Sequence, residues 1–398
     1  MESHYFTAPF IQQLMREHAP AQNITVHKVT PIPVDNSASI LVVLTAGSTD
    51  KFMGHFGLEV TYEANGIAEK RRMVLKAKPH GDEIVTMLNT LAQLCGGELA
   101  AVYPQYKALT GFQHTHMREL EVYGKLPNHL SPEIYGLRAE PEHGVYLILM
   151  EYLEEVELLN AVMQPQKWTD AHIRTALKQI ALWHAAHLER QLPLDKTHWT
   201  DVPSKAYMLQ LEPLWQALLQ NAADKFPDLY TPARVALLQH AIDNLPAYWQ
   251  ELEQMPKTFI HNDLNPRNTC FRRYGSEFEF CVYDWELSTW HVPQYDVVEL
   301  LSFVLDAEKY DLREEYLEFY RQELHHLTGQ FEDKALFAKG FYLAAYDFGL
   351  HRLGMYMMAH SVSPYPFLPR VANSFFNTLE QAQEASMDFP NKAYLANS

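Results

Sequence analysis

The chain has 398 residues, 47% of them apolar and 20% charged, a composition that suits a globular protein of two domains or lobes. Its formal net charge of −17 argues against a nucleic-acid binder, which needs a basic face, and mildly favours a cationic partner. No apolar run of about 18 residues is present, so no membrane span or membrane partner is expected. The N-terminus MESHYFTAPF has neither the basic nor the apolar region of a signal peptide. Cys95, Cys270 and Cys281 make no disulfide framework, and buried thiols in a reducing cytoplasm are expected.

Residues 8 to 18 are patterned as a short amphipathic helix. Strands are expected at Ile24 to Val29 and Ala38 to Ala46, joined by Pro31-Ile32-Pro33-Val34-Asp35-Asn36-Ser37, a loop without glycine. Gly57 to Ala64 and Ala68 to Lys78 alternate in the strand manner, and Asn65-Gly66 between them signals a tight hairpin. Gly81 to Leu94 and Gly97 to Leu109 have helical spacing, as does the segment around Met117 to Tyr123. Glu133 to Leu137 and Val145 to Met150 again read as strands.

From Glu151-Tyr152-Leu153 onward the chain is mostly helical. One helix opens at Trp168-Thr169-Asp170 and runs to about Arg190; two more are expected at Lys205 to Gln220 and Thr231 to Glu253. Four follow at Gln294 to Leu305, Asp311 to Leu327, Lys334 to Ala359 and Pro369 to Ala385. The shift from strand-rich to helix-rich sequence places the main boundary near residue 150, with lobes at 1–150 and 151–398. The histidine pairs His114 with His116, His184 with His187, and His325 with His326 each lack a third ligand, so packing rather than metal binding is expected.

The densest chemistry lies between the helices ending at 253 and starting at 294. Phe259-Ile260-His261-Asn262-Asp263-Leu264-Asn265-Pro266-Arg267-Asn268 is followed by Val282-Tyr283-Asp284-Trp285-Glu286. The pair is similar to the kinase catalytic and metal-binding loops, H-R-D-L-x-x-x-N and D-F-G, with Asn262 in place of Arg and only the Asp kept from the second. Phosphoryl transfer needs a group that accepts or orients the acceptor's hydroxyl proton, and hard oxygen ligands that hold Mg2+ on the phosphates. Asp263 is the expected base, Asn268 and Asp284 are the expected Mg2+ ligands, and His261 supports the loop. H-x-D alone recurs by chance; the full spaced set does not.

That chemistry assigns roles to earlier elements. A strand lysine should neutralise the ATP phosphates. Lys76, in Met73-Val74-Leu75-Lys76-Ala77-Lys78-Pro79, is the first choice, and Lys78 shares its face by period two. A helical glutamate should hold that lysine, with Glu119 the better fit and Glu121 the alternative. Adenine belongs against the backbone of Glu151, Tyr152 and Leu153. Ser37, with Asn36, would offer donors over the phosphates where kinases use glycine, although a plain loop explains those residues equally well.

The chain resembles the aminoglycoside phosphotransferase and choline kinase superfamily, in which H-G-D or H-N-D precedes a spaced Asn and then D-W-E or D-F-E. His261-Asn262-Asp263 with Asn268, Asp284-Trp285-Glu286, and Pro293, Tyr295 and Asp296 carry the resemblance. Leu182-Trp183-His184-Ala185 resembles the superfamily's L-x-H-A helix, whose His supports the catalytic loop. It implies an α+β, protein-kinase-like two-lobed fold, with a small antiparallel-sheet N-terminal lobe and a large, mostly helical C-terminal lobe. It also implies ATP and Mg2+ as cofactors and a hydroxyl on a small molecule as the acceptor. The D-W-E form, and the absence of A-P-E after Asp284, favour a small-molecule kinase over one acting on Ser or Thr of proteins.

The acceptor should lie against the helical C-terminal region, where Glu286, Tyr342, Asp347, His351 and Tyr356 are candidates to line its cleft. The chain's 22 Tyr and 7 Trp can hold an ammonium group through cation–π contacts, which leans towards an amine-bearing alcohol of aminoglycoside-like or choline-like type. The alternative is a catalytically inactive kinase-fold protein that binds nucleotide or acts as a scaffold. The glycine-free loop favours that alternative; joint retention of Asp263, Asn268 and Asp284 opposes it.

Overall fold

Asn65 and Gly66 both take positive φ, 53° and 84°, which closes the tight hairpin between β2 (Gly54–Ala64) and β3 (Ile67–Lys78). A computed structural model describes residues 2–34 and 52–384. In it β1 (Ile24–Ile32), β4 (Ile134–Glu140) and β5 (Val145–Glu151) complete a five-stranded antiparallel sheet in the order β1-β2-β3-β5-β4. The strand expected at Ala38 to Ala46 lies outside the described residues, as do Asn36 and Ser37.

The two faces of this sheet do different jobs because strand side chains alternate. Met73, Leu75, Leu147 and Leu149 point to one face and form a core with Leu58, Val60 and the buried Ile11, Leu14 and Met15 of α1 (Ala8–His18). Lys76 and Lys78 share the opposite face with Ile148 and Met150, under α2 (Gly81–Cys95), α3 (Gly97–Tyr106) and α4 (Thr115–Lys125).

The C-terminal part contains α5 (Asp170–His187), α6 (Lys205–Gln210), α7 (Glu212–Lys225), α8 (Pro232–Asp243) and α9 (Leu245–Gln254). The site strands follow: β6 (Thr258–Ile260), β7 (Thr269–Tyr274), β8 (Glu277–Val282) and β9 (Thr289–His291). The remaining helices are α10 (Gln294–Val304), α11 (Arg313–Thr328), α12 (Lys334–Phe348), α13 (Gly354–Val362) and α14 (Leu368–Glu384). The architecture is the two-lobed, protein-kinase-like α+β one. The helices α2 and α3 precede residue 150 yet pack on α13 and α7, so the larger core reaches back across that position.

Two expected helices are each split in two. Pro213 and Pro246 lack the N–H that would continue a helix, so each sits in the first turn of a new one, α7 and α9. The run expected from Lys334 to Ala359 is helical throughout, but Gly349–Leu353 forms a π-helical turn between α12 and α13. Gly349 suits this place because a Cβ would meet the ring of Phe375. Among the described residues no helix is long and apolar enough to cross a membrane.

Candidate active site

The loop after β6 is built by its own backbone contacts. Asp296, fully buried in the first turn of α10, accepts from the N–H groups of His261 (2.8 Å) and Asn262 (2.9 Å). His184 on α5 donates to the same carboxylate at 3.1 Å and accepts from the Tyr320 hydroxyl at 2.6 Å. His261 Nδ1 accepts from the Asp263 N–H at 3.2 Å, so Nε2 carries the proton and donates to the Tyr283 carbonyl at 3.0 Å. The His261 ring thus ties the loop of Asp263 to the strand end before Asp284. Asn262 stands at φ 60°, a left-handed conformation that Asn tolerates better than most residues, and its amide donates to the Leu287 carbonyl at 2.9 Å.

This frame presents Asp263 with its carboxylate crowded by donors. Its Oδ1 accepts from Asn265 (3.0 Å), from Arg352 (2.6 Å) and from the Tyr356 hydroxyl, while Oδ2 accepts from Asn268 at 2.7 Å. Oδ1 is saturated, so Oδ2 keeps the room for one more donor. Burial pushes the Asp263 carboxyl up, but the guanidinium groups of Arg352 and Arg267 outweigh it and hold the group down at about 2. Asn268 donates to both the carbonyl and the carboxylate of Asp263, which leaves its amide oxygen as the free end.

β7 and β8 pair directly, Cys270 opposite Cys281, and carry Asn268 and Asp284 to the same end of the hairpin. Asp284 stands at φ 65°. Its Oδ1 accepts from Lys76 at 2.7 Å, and Lys76 also reaches both oxygens of Glu119 at 2.8 Å. Lys78 bonds the same Glu119 and, at 2.6 Å, Glu286. Burial opposes the charge on both Lys76 and Asp284, but their attraction wins: the Asp284 carboxyl is held well below the usual range and the Lys76 ammonium well above. Burial and the Asp284 charge push the Glu286 carboxyl up. Glu121 faces elsewhere, bonding Lys125 (2.9 Å) and His198.

A cavity of about 440 Å³ joins these groups, lined by Lys76, Asp263, Asn268, Asp284 and Glu286. At one end it meets Glu151, Tyr152 and Leu153. The Glu151 and Tyr152 N–H groups are spent on the Glu133 (2.8 Å) and Arg72 (3.2 Å) carbonyls. The N–H and the carbonyl of Leu153 are without a partner among the described residues. At the other end stand Tyr356 and Arg352 on one helical face with Met355 and Ala359.

The structure does not bring Asp347, His351 or Tyr342 to this cavity. Asp347 is buried behind it, accepting from Tyr248 (2.7 Å), Trp249 (2.9 Å) and His291 (2.9 Å). It lies nine residues before Tyr356, on the other side of the π-helical turn. His351 bonds the Thr110 carbonyl at 3.2 Å and packs on Trp215.

Several cavity residues escape sequence reasoning. His55 lies opposite Lys76 in the β2–β3 register, and burial and Lys76 hold its imidazole down at about 4. Arg352 gave no signal. Arg267 lay inside the quoted motif, and its position four residues after Asp263 was the only clue to their proximity. Glu299 is outside the cavity lining but next to it: one turn after Asp296 on the same helix, it lies 3.1 Å from the Asn265 amide. Its carboxyl is pushed up to about 8 by burial and by Asp263.

A model described as the phosphotransferase enzyme family matches residues 67–329, well over half of the chain. None of the curated proteins matches it. An ethanolamine kinase from Plasmodium vivax is similar in structure, with a TM-score of 0.47, 10% identity, and 90% of this chain and 83% of that one covered. The GDP complex of an aminoglycoside 2′-phosphotransferase gives a TM-score of 0.43 at 13% identity, covering 96% of this chain and all of that one. A microcompartment-associated aminopropanol kinase gives 0.36 at 12%, covering 83% and 90%.

Proposed function

The chain belongs to the phosphotransferase enzyme family, and from that premise we propose that it is a cytoplasmic kinase that transfers a phosphoryl group from ATP to a hydroxyl of a small molecule. The observation that carries this reading is the convergence on one cavity of Asp263, Asn268, Asp284 and the ion-paired Lys76. The donor set suits Mg2+: Asn268 has an amide oxygen without a partner among the described residues and Asp284 a carboxylate held ionised, both hard oxygen ligands. Bound there, Mg2+ would neutralise charge on the phosphates.

The chain's own residues then divide the work. Lys76, fixed by Glu119, pairs with phosphate oxygens, and the Leu153 backbone offers a donor and an acceptor to the base. Asp263 orients the acceptor hydroxyl through Oδ2. A carboxylate held near 2 is a weak base, so its contribution is direction and charge more than storage of the proton. That fits a loose transition state, in which positioning supplies most of the rate.

Of the rings that could hold an amine-bearing acceptor, Phe112 and Tyr356 face the Arg352 guanidinium, while Tyr152 and Tyr283 also line the cavity. The carboxylates lining it are already paired: Glu151 with Arg272 (2.6 Å), Asp263 with Arg352 (2.6 Å), Asp284 with Lys76 (2.7 Å) and Glu286 with Lys78 (2.6 Å).

The test is turnover of Mg-ATP against a panel of alcohols, with Asp263→Asn and Asp263→Ala alongside. We expect turnover to fall by about 10²- to 10⁴-fold while nucleotide affinity, read by calorimetry, stays near wild type. Equal turnover in the folded variants refutes the assignment. Nucleotide binding without transfer to any alcohol would favour the inactive scaffold.

A further inference from the structure

The acceptor half of the cavity is apolar with a cationic end. Ile84, Met87 and Leu88 of α2 face it with Phe112, Met355 and Ala359. Asp263, Arg267 and Arg352 stand at its inner end. Two guanidinium groups therefore surround one ionised carboxylate. Arg352 spends Nη2 on Asp263 (2.6 Å) and Tyr356 (2.8 Å); its Nε, without a partner among the described residues, is sealed from the cavity. Arg267 spends Nε on Asn265 (3.1 Å) and Nη2 on Tyr356 (2.9 Å). Among the described residues Nη1 of neither arginine forms a hydrogen bond.

Glu299 is the nearest further carboxyl, but it lies behind Tyr356, its Oε1 3.3 Å from the hydroxyl, and does not line the cavity. Burial and Asp263 also push its pKa up to about 8, so it adds little negative charge at neutral pH. The donors left over at this end are thus cationic, and buried cations favour an anion or a negative dipole. An ammonium group placed here would meet two arginines and no unpaired carboxylate.

We propose that the acceptor is an alcohol with an apolar body and an anionic group, and that Arg352 and Arg267 select that charge. The inference rests on the phosphotransferase reading above. The same arginines have another conceivable anion, the phosphoryl group in transfer, and a comparison of acceptors separates the two.

The experiment loads the protein with Mg2+ and a non-hydrolysable ATP analogue, then measures the affinity of three matched alcohols: a hydroxyhexanoate, hexanol and an aminohexanol. We expect the hydroxyhexanoate to bind about tenfold or more tightly than hexanol, and the aminohexanol to bind most weakly. Arg352→Gln should abolish the preference for the carboxylate; the wild-type ranking stands as a test by itself if that variant fails to fold. Equal binding of the three overturns the proposal and leaves the arginines to the transferred phosphoryl group. Preference for the aminohexanol, or binding of none, also overturns it. A protein that does not bind the nucleotide analogue loses the kinase reading and this inference together. One that binds the analogue and ranks the amine first loses this inference alone.

Discussion

Glu119→Gln is the sharpest test of how the nucleotide side is held. Glu119 is fully buried, and its two oxygens meet Lys76 twice at 2.8 Å and Lys78 once. The substitution keeps the volume and removes one charge, leaving two ammonium groups that are 11% and 1% exposed. Breaking a buried pair costs about 3–5 kcal/mol. Here each lysine keeps one carboxylate, Asp284 for Lys76 and Glu286 for Lys78, so the low end applies, about 3 kcal/mol. At roughly 1.2 °C per kcal/mol for a chain of this size, the melting temperature should fall by about 3–4 °C in nucleotide-free protein. Scanning calorimetry reads the shift. Adding Lys78→Met should not recover it, because Glu286 then loses the cation it pairs with. A loss below about 1 kcal/mol, the range of exposed pairs, would refute the buried network. So would a double variant more stable than the single one.

Asp296→Asn should lower stability by about 2–3 kcal/mol, since an amide cannot accept from His261, Asn262 and His184 together. Turnover should fall with nucleotide affinity unchanged, because Lys76 and Leu153 lie on other elements; weakened nucleotide binding measured by calorimetry would count against this. Glu299 gives a pH signature. Its carboxyl rises from 4.5 to about 8 on folding, so between those values the folded chain binds the extra proton. The stability it contributes is present below 4.5 and is lost as pH rises towards 8. Wild type minus Glu299→Gln in unfolding free energy should therefore fall across that window and level off above it, and a flat difference would refute the raised carboxyl.

Much of the fold was legible because its signals are local. Asn65-Gly66 set a hairpin by backbone conformation alone, and period two put Lys76 and Lys78 on one face before any partner was known. The family resemblance rested on motifs held within single loops, His261 to Asn268 and Asp284 to Glu286, and the match over 67–329 bears it out. Helix ends were less legible where an amphipathic pattern ran through a proline, as at Pro213 and Pro246. Glu119 binds both Lys76 and Lys78, and of the two Lys76 lines the cavity.

What the sequence determined by itself was chemistry of short reach: residue types at fixed spacing along one loop or one strand, where covalent geometry leaves little freedom. The surroundings of Asp263 were decided by tertiary structure. Arg352 comes from 89 residues away, within the π-helical turn between α12 and α13. Asp296 and His184 meet behind the loop from separate helices. Helical periodicity says which residues share a face, but only packing says what that face meets. The charge presented to the acceptor depends on that second fact.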